Sequence, residues 1–365
     1  MSLNTKDRLS QLRHKMALSE IDLVAVGPGS HMQWMAGFFP HPDERPCLLL
    51  VSQSEAAFLM PALVMESSRE MTSLKLFGWS DEDGPKKALE DALAFVHAKN
   101  TKHLAIDETM RADFALLVID ALPQLVSRQF TQSTLGALRM KKDETEYQLL
   151  KQSALVADSA MKTAFAKVKV GMTEIQLAEV IKAHFGLHAA TPLFGIVGTS
   201  ENGAFPHHSV SERVIEEGDA IVVDIGARKA GYPSDITRMI VMGEPSEEYQ
   251  HIHSIVEKAV QAALAVCKPG VSAKVVDAAA RDVITEAGYG EYFVHRTGHG
   301  LGIDGHESPY VTKTDETILQ EGMVFSIEPG IYLPGNFGVR LEDIVIMRAE
   351  GAEILSELPR SVHVA

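Results

Sequence analysis

Basic charge, disulfide-forming cysteine and long apolar runs are all scarce in this sequence. Thirty-four lysines and arginines stand against 49 aspartates and glutamates, a net charge of -15. That balance argues against nonspecific binding to nucleic acid or to an anionic membrane surface. Two cysteines, Cys47 and Cys267, make no disulfide framework. No run approaches the length of a membrane span. The stretch from Lys6 to Lys15 is charged where a secretory signal would need an apolar core. These absences point to the cytoplasm. What is present is globular in composition, 45% hydrophobic and 23% charged, and 365 residues suffice for two domains.

Residues 1–135 read as an α/β unit. A charged helix from Asp7 to Leu18 leads to a strand at Ile21 to Val26, ended by Gly27-Pro28-Gly29. Cys47 to Val51 and Ala56 to Met60 form a hairpin around Ser52-Gln53-Ser54-Glu55. Pro85 opens a helix carrying Leu89, Leu93 and Phe95. A strand at His103 to Asp107 and a helix at Ala112 to Leu122 follow. Trp34, beside Gly37-Phe38-Phe39, reads as a packing residue. No catalytic cluster is visible in this half.

Beyond a charge-rich boundary at Leu138 to Glu144 the chain repeats itself, in copies of about 144–244 and 246–347. Glu146-Tyr147-Gln148 begins one helix, and Glu248-Tyr249-Gln250 begins another 102 positions on. Each leads to a glycine and a hydroxyl residue opening a second helix, Gly171-Met172-Thr173 and Gly270-Val271-Ser272, offset 99. Thr173 with Gln176 makes a capping box, and Ser272 an N-cap. Each second helix leads to a loop histidine, His207 beside His208 and His306 after Gly305, again offset 99. Each loop leads to an acidic strand pair. The first carries Asp224 and Asp235, the second Glu328 and Glu342, at offsets of 104 and 107. Four landmarks in one order at nearly one spacing imply a pseudo-twofold domain whose acidic hairpins face a common centre.

Asp224 lies in the β-branched run Val222-Val223-Asp224-Ile225, which reads as a buried strand. An ionised carboxylate there costs several kcal/mol unless a cation meets it. Four carboxylates sharing a pocket need raised pKa values or bound cations. Between the hairpins lies His295-Arg296-Thr297-Gly298-His299-Gly300, with His299 among glycines that let backbone approach closely. Four carboxylates and an imidazole are a hard, oxygen-rich set. They suit Mn²⁺, Co²⁺ or Fe²⁺, and zinc also fits. The ligand count exceeds the needs of one ion, so two divalent ions roughly 3.5 Å apart are expected.

These motifs resemble the pita-bread metallopeptidases: Xaa-Pro dipeptidase (prolidase), aminopeptidase P and methionine aminopeptidase. The resemblance covers the whole chain. It implies an α+β protein with an N-terminal α/β creatinase-type domain (1–135) and a C-terminal pita-bread domain (136–365). It implies that Asp224, Asp235, His299, Glu328 and Glu342 bind two divalent ions, with Asp235 and Glu342 bridging. By the same resemblance His207 and His306 hold substrate and tetrahedral intermediate, His295 lies beside the substrate, and Arg340 orients the site. The implied reaction is attack of a metal-bridging hydroxide on the bond before proline, with Glu328 carrying the proton. The implied substrate is a short proline-containing peptide, the metal Mn²⁺ and the assembly a homodimer.

Dipeptidase and aminopeptidase P both remain open on sequence grounds, as does a hydrolase or lyase acting on a non-peptide small molecule. A non-enzymatic binding protein on this fold is disfavoured by the intact five-residue set. One departure stands out. Gly305 occupies a position where these peptidases commonly carry valine, which softens the loop holding His306.

Overall fold

The computed structural model describes residues 5–365. The chain divides into two compact units, one ending at Arg139 and the other running from Met140 to Ala365.

The first unit contains α1 (Thr5–Leu18), β1 (Leu23–Val26), α2 (Ser30–Ala36), β2 (Leu48–Ser52), β3 (Ala56–Pro61), α3 (Ala62–Arg69), β4 (Lys75–Trp79), α4 (Lys86–Phe95), β5 (His103–Ile106), α5 (Ala112–Asp120), β6 (Ser127–Phe130) and α6 (Leu135–Arg139). Its strands form one mixed sheet in the order β4-β3-β2-β1-β5-β6. The hairpin expected around Ser52 to Glu55 is present, with Val51 opposite Ala56. Every position of β1, β2 and β3 is buried, as for a sheet covered on both faces. Leu89 and Leu93 of α4 and Phe114 and Val118 of α5 close one side. Trp34 is buried, with the Arg8 guanidinium 4.2 Å from its ring centroid.

The second unit contains α7 (Glu144–Lys167), α8 (Glu174–Leu187), β7 (Thr191–Thr199), β8 (Ala220–Lys229), β9 (Tyr232–Pro233), β10 (Ile236–Val241), α9 (Glu247–Val266), α10 (Ala273–Glu286), β11 (Gly298–Gly300), β12 (Glu307–Val311), β13 (Val324–Ile327), β14 (Gly330–Tyr332), β15 (Gly338–Arg340), β16 (Asp343–Arg348), β17 (Gly351–Ile354) and β18 (His363–Val364). Two main sheets are ordered β18-β10-β8-β7 and β12-β11-β13-β16-β17, and β14 pairs with β15. Among the described residues no helix is long and apolar enough to cross a membrane.

Local chemistry explains the helix pairs. Asp143 and Glu146 form a capping box at the start of α7. Leu150, Ala154, Ala157, Met161 and Ala164 then recur every three or four residues and are buried. Removing a side chain the size of Leu150 or Met161 from water contributes roughly 1.5–3 kcal/mol. Thr173 and Gln176 make the expected capping box on α8. Ser272 occupies the N-cap of α10 but makes no side-chain cap bond. The first free amides there, on Ala273 and Lys274, donate instead to the Thr317 and Asp315 carbonyls.

The sheets carry the repeat inward. Ile221, Val223 and Ile225 of β8 pack with α7 and α8 in one core. Phe325 and Ile327 of β13 pack with α9 and α10 in another. Alternation along a strand then sends Asp224 to the face of β8 opposite Val223 and Ile225. In copy two it sends Ser326 and Glu328 away from the Phe325 and Ile327 side.

Candidate metal centre

Asp224 lies mid-strand in β8, opposite Thr237 of β10. Asp235 sits between β9 and β10, Glu328 just after β13, and Glu342 between β15 and β16. His299 is the middle residue of β11. The glycines around it are demanded by packing: a Cβ on Gly298 would lie 1.9 Å from the Ser326 carbonyl oxygen, and one on Gly300 2.4 Å from that of Ser308. Only bare backbone lets β11 fit between β12 and β13 at these points.

These elements bring the five side chains together. Oxygens of Asp224, Asp235 and Glu342 lie within 4.8 Å of one another, as do ligand atoms of His299, Glu328 and Glu342. His299 Nδ1 donates to the Gly300 carbonyl at 3.1 Å, so Nε2 carries the lone pair. That lone pair faces Asp235 Oδ2 at 3.6 Å and Glu328 Oε1 at 3.4 Å. Burial, and then the neighbouring His306, push the His299 imidazole down to about 3, so it is neutral. Three ligand atoms, one of them on a neutral imidazole, converge in a buried pocket and form a set that suits a cation.

The same conclusion follows from orphaned atoms. Asp224 Oδ1 and Glu342 Oε1 are buried and have no hydrogen-bond partner among the described residues. Their other oxygens are engaged, Asp224 Oδ2 by Arg340 Nη2 at 2.6 Å and Glu342 Oε2 by Thr237 Oγ1 at 2.7 Å. Burial, and then the charge of Asp224, raise the Asp235 carboxyl well above the usual range. Burial, and then Asp235, do the same to Glu342. Glu328 is pushed up by burial to about 7, although Arg340 pulls the other way. The donor set fits divalent cations: one oxygen from each copy is left open, and the charge is compensated only in part by Arg340.

Arg340 organises the floor. Besides Asp224 it donates to Tyr332 Oη at 2.8 Å, to Thr237 Oγ1 at 3.1 Å and to the Pro206 carbonyl at 3.4 Å. His295 Nδ1 donates to the Arg296 carbonyl at 2.7 Å, leaving Nε2 to accept the Tyr332 hydroxyl at 2.7 Å. A directed chain therefore runs from Arg340 through Tyr332 to His295. Both His295 nitrogens are engaged within the protein, and burial, then the Arg340 charge, hold it down to about 3.

His306 is exposed, its ring centroid 3.8 Å from that of His299. Arg296 Nη2 donates to His306 Nδ1 at 3.3 Å, which leaves Nε2–H as the free donor. The next residue, Glu307, pairs with Lys142 at 2.7 Å, the two side chains 10% and 1% exposed. Gly305 has no left-handed backbone, and a Cβ there would meet nothing within 4 Å. His207 is exposed, whereas His208 turns inward to Glu174 at 2.8 Å. Tyr332, Thr237, Ser326 and Glu174 were not singled out from sequence. A second acid–histidine group, His31, Asp107 and Glu108, lies in the first unit. Its imidazole is already used on both sides, by Arg139 at Nδ1 (3.1 Å) and Thr131 at Nε2 (3.0 Å).

Paired acidic hairpins around one imidazole make a set suited to a metal-dependent hydrolase. The model of metallopeptidase family M24 matches residues 148–349, and that of the creatinase/prolidase N-terminal domain matches residues 8–141. An Xaa-Pro dipeptidase from Pyrococcus furiosus is 33% identical over 98% of this chain and 99% of its own. A probable dipeptidase PepE from Mycobacterium tuberculosis is 36% identical over 93% and 91%. The solved prolidase from Thermococcus sibiricus superposes with a TM-score of 0.91 at 35% identity, covering the whole of both chains. The chain belongs to metallopeptidase family M24 and pairs its catalytic domain with the creatinase/prolidase N-terminal domain.

Proposed function

We propose that this metallopeptidase is an Xaa-Pro dipeptidase working with two divalent ions. The reading rests on the two buried, unpartnered oxygens, Asp224 Oδ1 and Glu342 Oε1, one from each copy, facing the same centre as His299 Nε2. Relatives named Xaa-Pro dipeptidase that match over nearly the full length of both chains support the choice of substrate. Asp224, Asp235, His299, Glu328 and Glu342 would hold the ions, Mn²⁺ first among those suited to an oxygen-rich set, with Asp235 and Glu342 shared. When bound, such a pair makes a water acidic enough to attack near neutral pH and polarises the scissile carbonyl.

The remaining work falls to the chain. Ser326 Oγ donates to Glu328 Oε1 at 3.0 Å, which fixes that carboxylate and leaves Oε2 to take a proton from the attacking water. Glu328 then delivers it to the prolyl nitrogen, which has no N–H of its own. His306 offers Nε2–H to the oxyanion that develops on the former carbonyl. His207, exposed at its loop tip, holds the substrate from the other copy. Arg340 and Thr237 keep Asp224 and Glu342 aimed inward, and the Arg340–Tyr332–His295 chain fixes the wall beside them. A homodimer in the cytoplasm completes the reading; its mass in light scattering is expected to be twice that of one chain.

Metal-stripped protein reloaded with Mn²⁺ and offered matched Xaa-Pro dipeptides and Xaa-Pro-Yaa tripeptides tests the substrate. Hydrolysis of the dipeptide alone is expected. Hydrolysis of the tripeptide instead would make the protein an aminopeptidase P. Failure to cut either, with metal bound, would refute a prolyl-peptide substrate.

A further inference from the structure

Two buried carboxylates outside the metal centre hold the loops that carry His207 and His295. In copy one, Glu174 is the first residue of α8 and is completely buried. Its Oε1 accepts from the Thr199 amide at 2.8 Å and Asn202 Nδ2 at 3.0 Å. Its Oε2 accepts from the Ser211 amide at 3.0 Å, Ser211 Oγ at 2.6 Å and His208 Nε2 at 2.8 Å. These donors bracket residues 199–211, the segment that presents His207. Burial alone would raise this carboxyl; the bonds from Ser211, Asn202 and His208 outweigh it and hold it below the usual range.

Copy two repeats the device with different residues. Asp277 of α10 is also completely buried. Its Oδ1 accepts from the Thr297 amide at 3.2 Å and Thr297 Oγ1 at 2.8 Å. Arg281 grips both its oxygens, at 2.8 and 2.9 Å, and donates onward to the carbonyls of Phe293 at 3.0 Å and His295 at 2.9 Å. These groups bracket residues 293–297. Asp277 sits one turn further into α10 than Glu174 does into α8, so the two share a role without being equivalent positions of the repeat.

Neither carboxylate faces the metal centre's ligands through any of these bonds. A helix capped by Thr173 does not need a charge at its first residue, and a buried charge is weak evidence of stabilisation for its own sake. What both carboxylates share is a loop with a histidine on it.

We propose that Glu174 and Asp277 are positioning residues, one in each copy, each fixing a loop that carries a histidine, His207 or His295, of the substrate site. The inference rests on the functional reading above, in which His207 holds the substrate and His295 forms part of the wall of the site. Each residue acts through its loop and touches no substrate.

The test is a pair of double-mutant cycles, Glu174→Gln with His207→Ala and Asp277→Asn with His295→Ala, on Mn²⁺-loaded enzyme. Each protein is assayed for kcat/KM on an Xaa-Pro dipeptide, metal per chain and thermal midpoint. Glu174→Gln is expected to lower kcat/KM by about 10- to 100-fold in the native background but by less than about twofold beside His207→Ala, because residues acting as a unit are not additive. Metal content should hold, and the midpoint should fall equally in both backgrounds. The Asp277 cycle should behave alike. Equal fold-losses in both backgrounds would overturn the inference and leave the carboxylates merely structural. If His207→Ala and His295→Ala alone leave kcat/KM unchanged, the functional reading of the histidines fails and the inference falls with it. Should Glu174→Gln not fold, Ser211→Ala removes a single donor and is put through the same cycle: a loss confined to the native background supports the inference, and equal losses overturn it.

Discussion

Loading metal into the stripped protein is expected to release protons. Asp224, Asp235, Glu328 and Glu342 converge beside one buried guanidinium, Arg340. Burial raises Asp235 and Glu342 well above the usual carboxylate range and brings Glu328 to about 7. At pH 7 the cation-free cluster therefore still holds protons, which offset part of its negative charge alongside Arg340. Divalent ions displace those protons, so on the order of one or more should leave per chain. At about 1.36 kcal/mol per proton per pH unit, apparent metal affinity near pH 7 then rises about tenfold per unit of pH for each proton released. The sign for stability follows from the same shifts. The folded-state values lie above those of the unfolded chain, so the stripped protein is favoured below the ordinary carboxylate range. It loses stability as pH rises through about 7, where Glu328 gives up its proton. The gap between the melting points of loaded and stripped protein should widen from pH 6 to pH 8. Titration calorimetry in two buffers of different ionisation enthalpy counts the protons. Release of less than about half a proton per chain would mean that the stripped cluster is fully ionised, and the electrostatic reasoning would fail.

Other expectations follow from single contacts. Glu342→Gln is expected to abolish hydrolysis and lower metal per chain, while the stripped variant melts higher than stripped native protein because it no longer buries an acid that must take up a proton to fold; a lower midpoint would count against that. His306→Ala should cut turnover by about 10²–10³-fold with metal content unchanged, since it removes a donor to the oxyanion; parallel losses of both would make His306 structural. Lys142→Met strands Glu307 without its buried partner and should cost about 3–5 kcal/mol in denaturant unfolding; a cost under about 1 kcal/mol would be the surface-pair value. Gly305→Ala, at a site with open space and no left-handed backbone, should stabilise by about 0.4–1 kcal/mol through the unfolded chain.

The repeat was legible because its signals are local. A cap or a glycine followed by spaced apolar residues marks the starts of α7, α8, α9 and α10, and a carboxylate inside a β-branched run marks β8. The approach of five side chains followed from the repeat, since paired hairpins related by a twofold must face one centre. In the first unit the missed elements are those without periodicity. All four residues of β6 are exposed, β4 alternates poorly, and α2 spans barely two turns. The choice between His207 and His208 was not legible from chemistry, because what turns His208 inward is Glu174, 34 positions earlier. At the first position of a helix that glutamate reads as an ordinary acid favoured by the dipole. Tyr332 and Thr237 were hidden for the same reason: their partners lie on other strands, and no spacing rule reaches them.

The two copies each contribute two carboxylates, and neither owns a complete site. The centre is thus a seam inside one chain, and it is where like charges meet across that seam. An ion seated there joins the halves as a shared ion joins two subunits. Occupancy of the centre would then favour the docked arrangement of the halves, as any ligand favours the state that binds it. The cation that would enable the chemistry is also the mortar between the repeats.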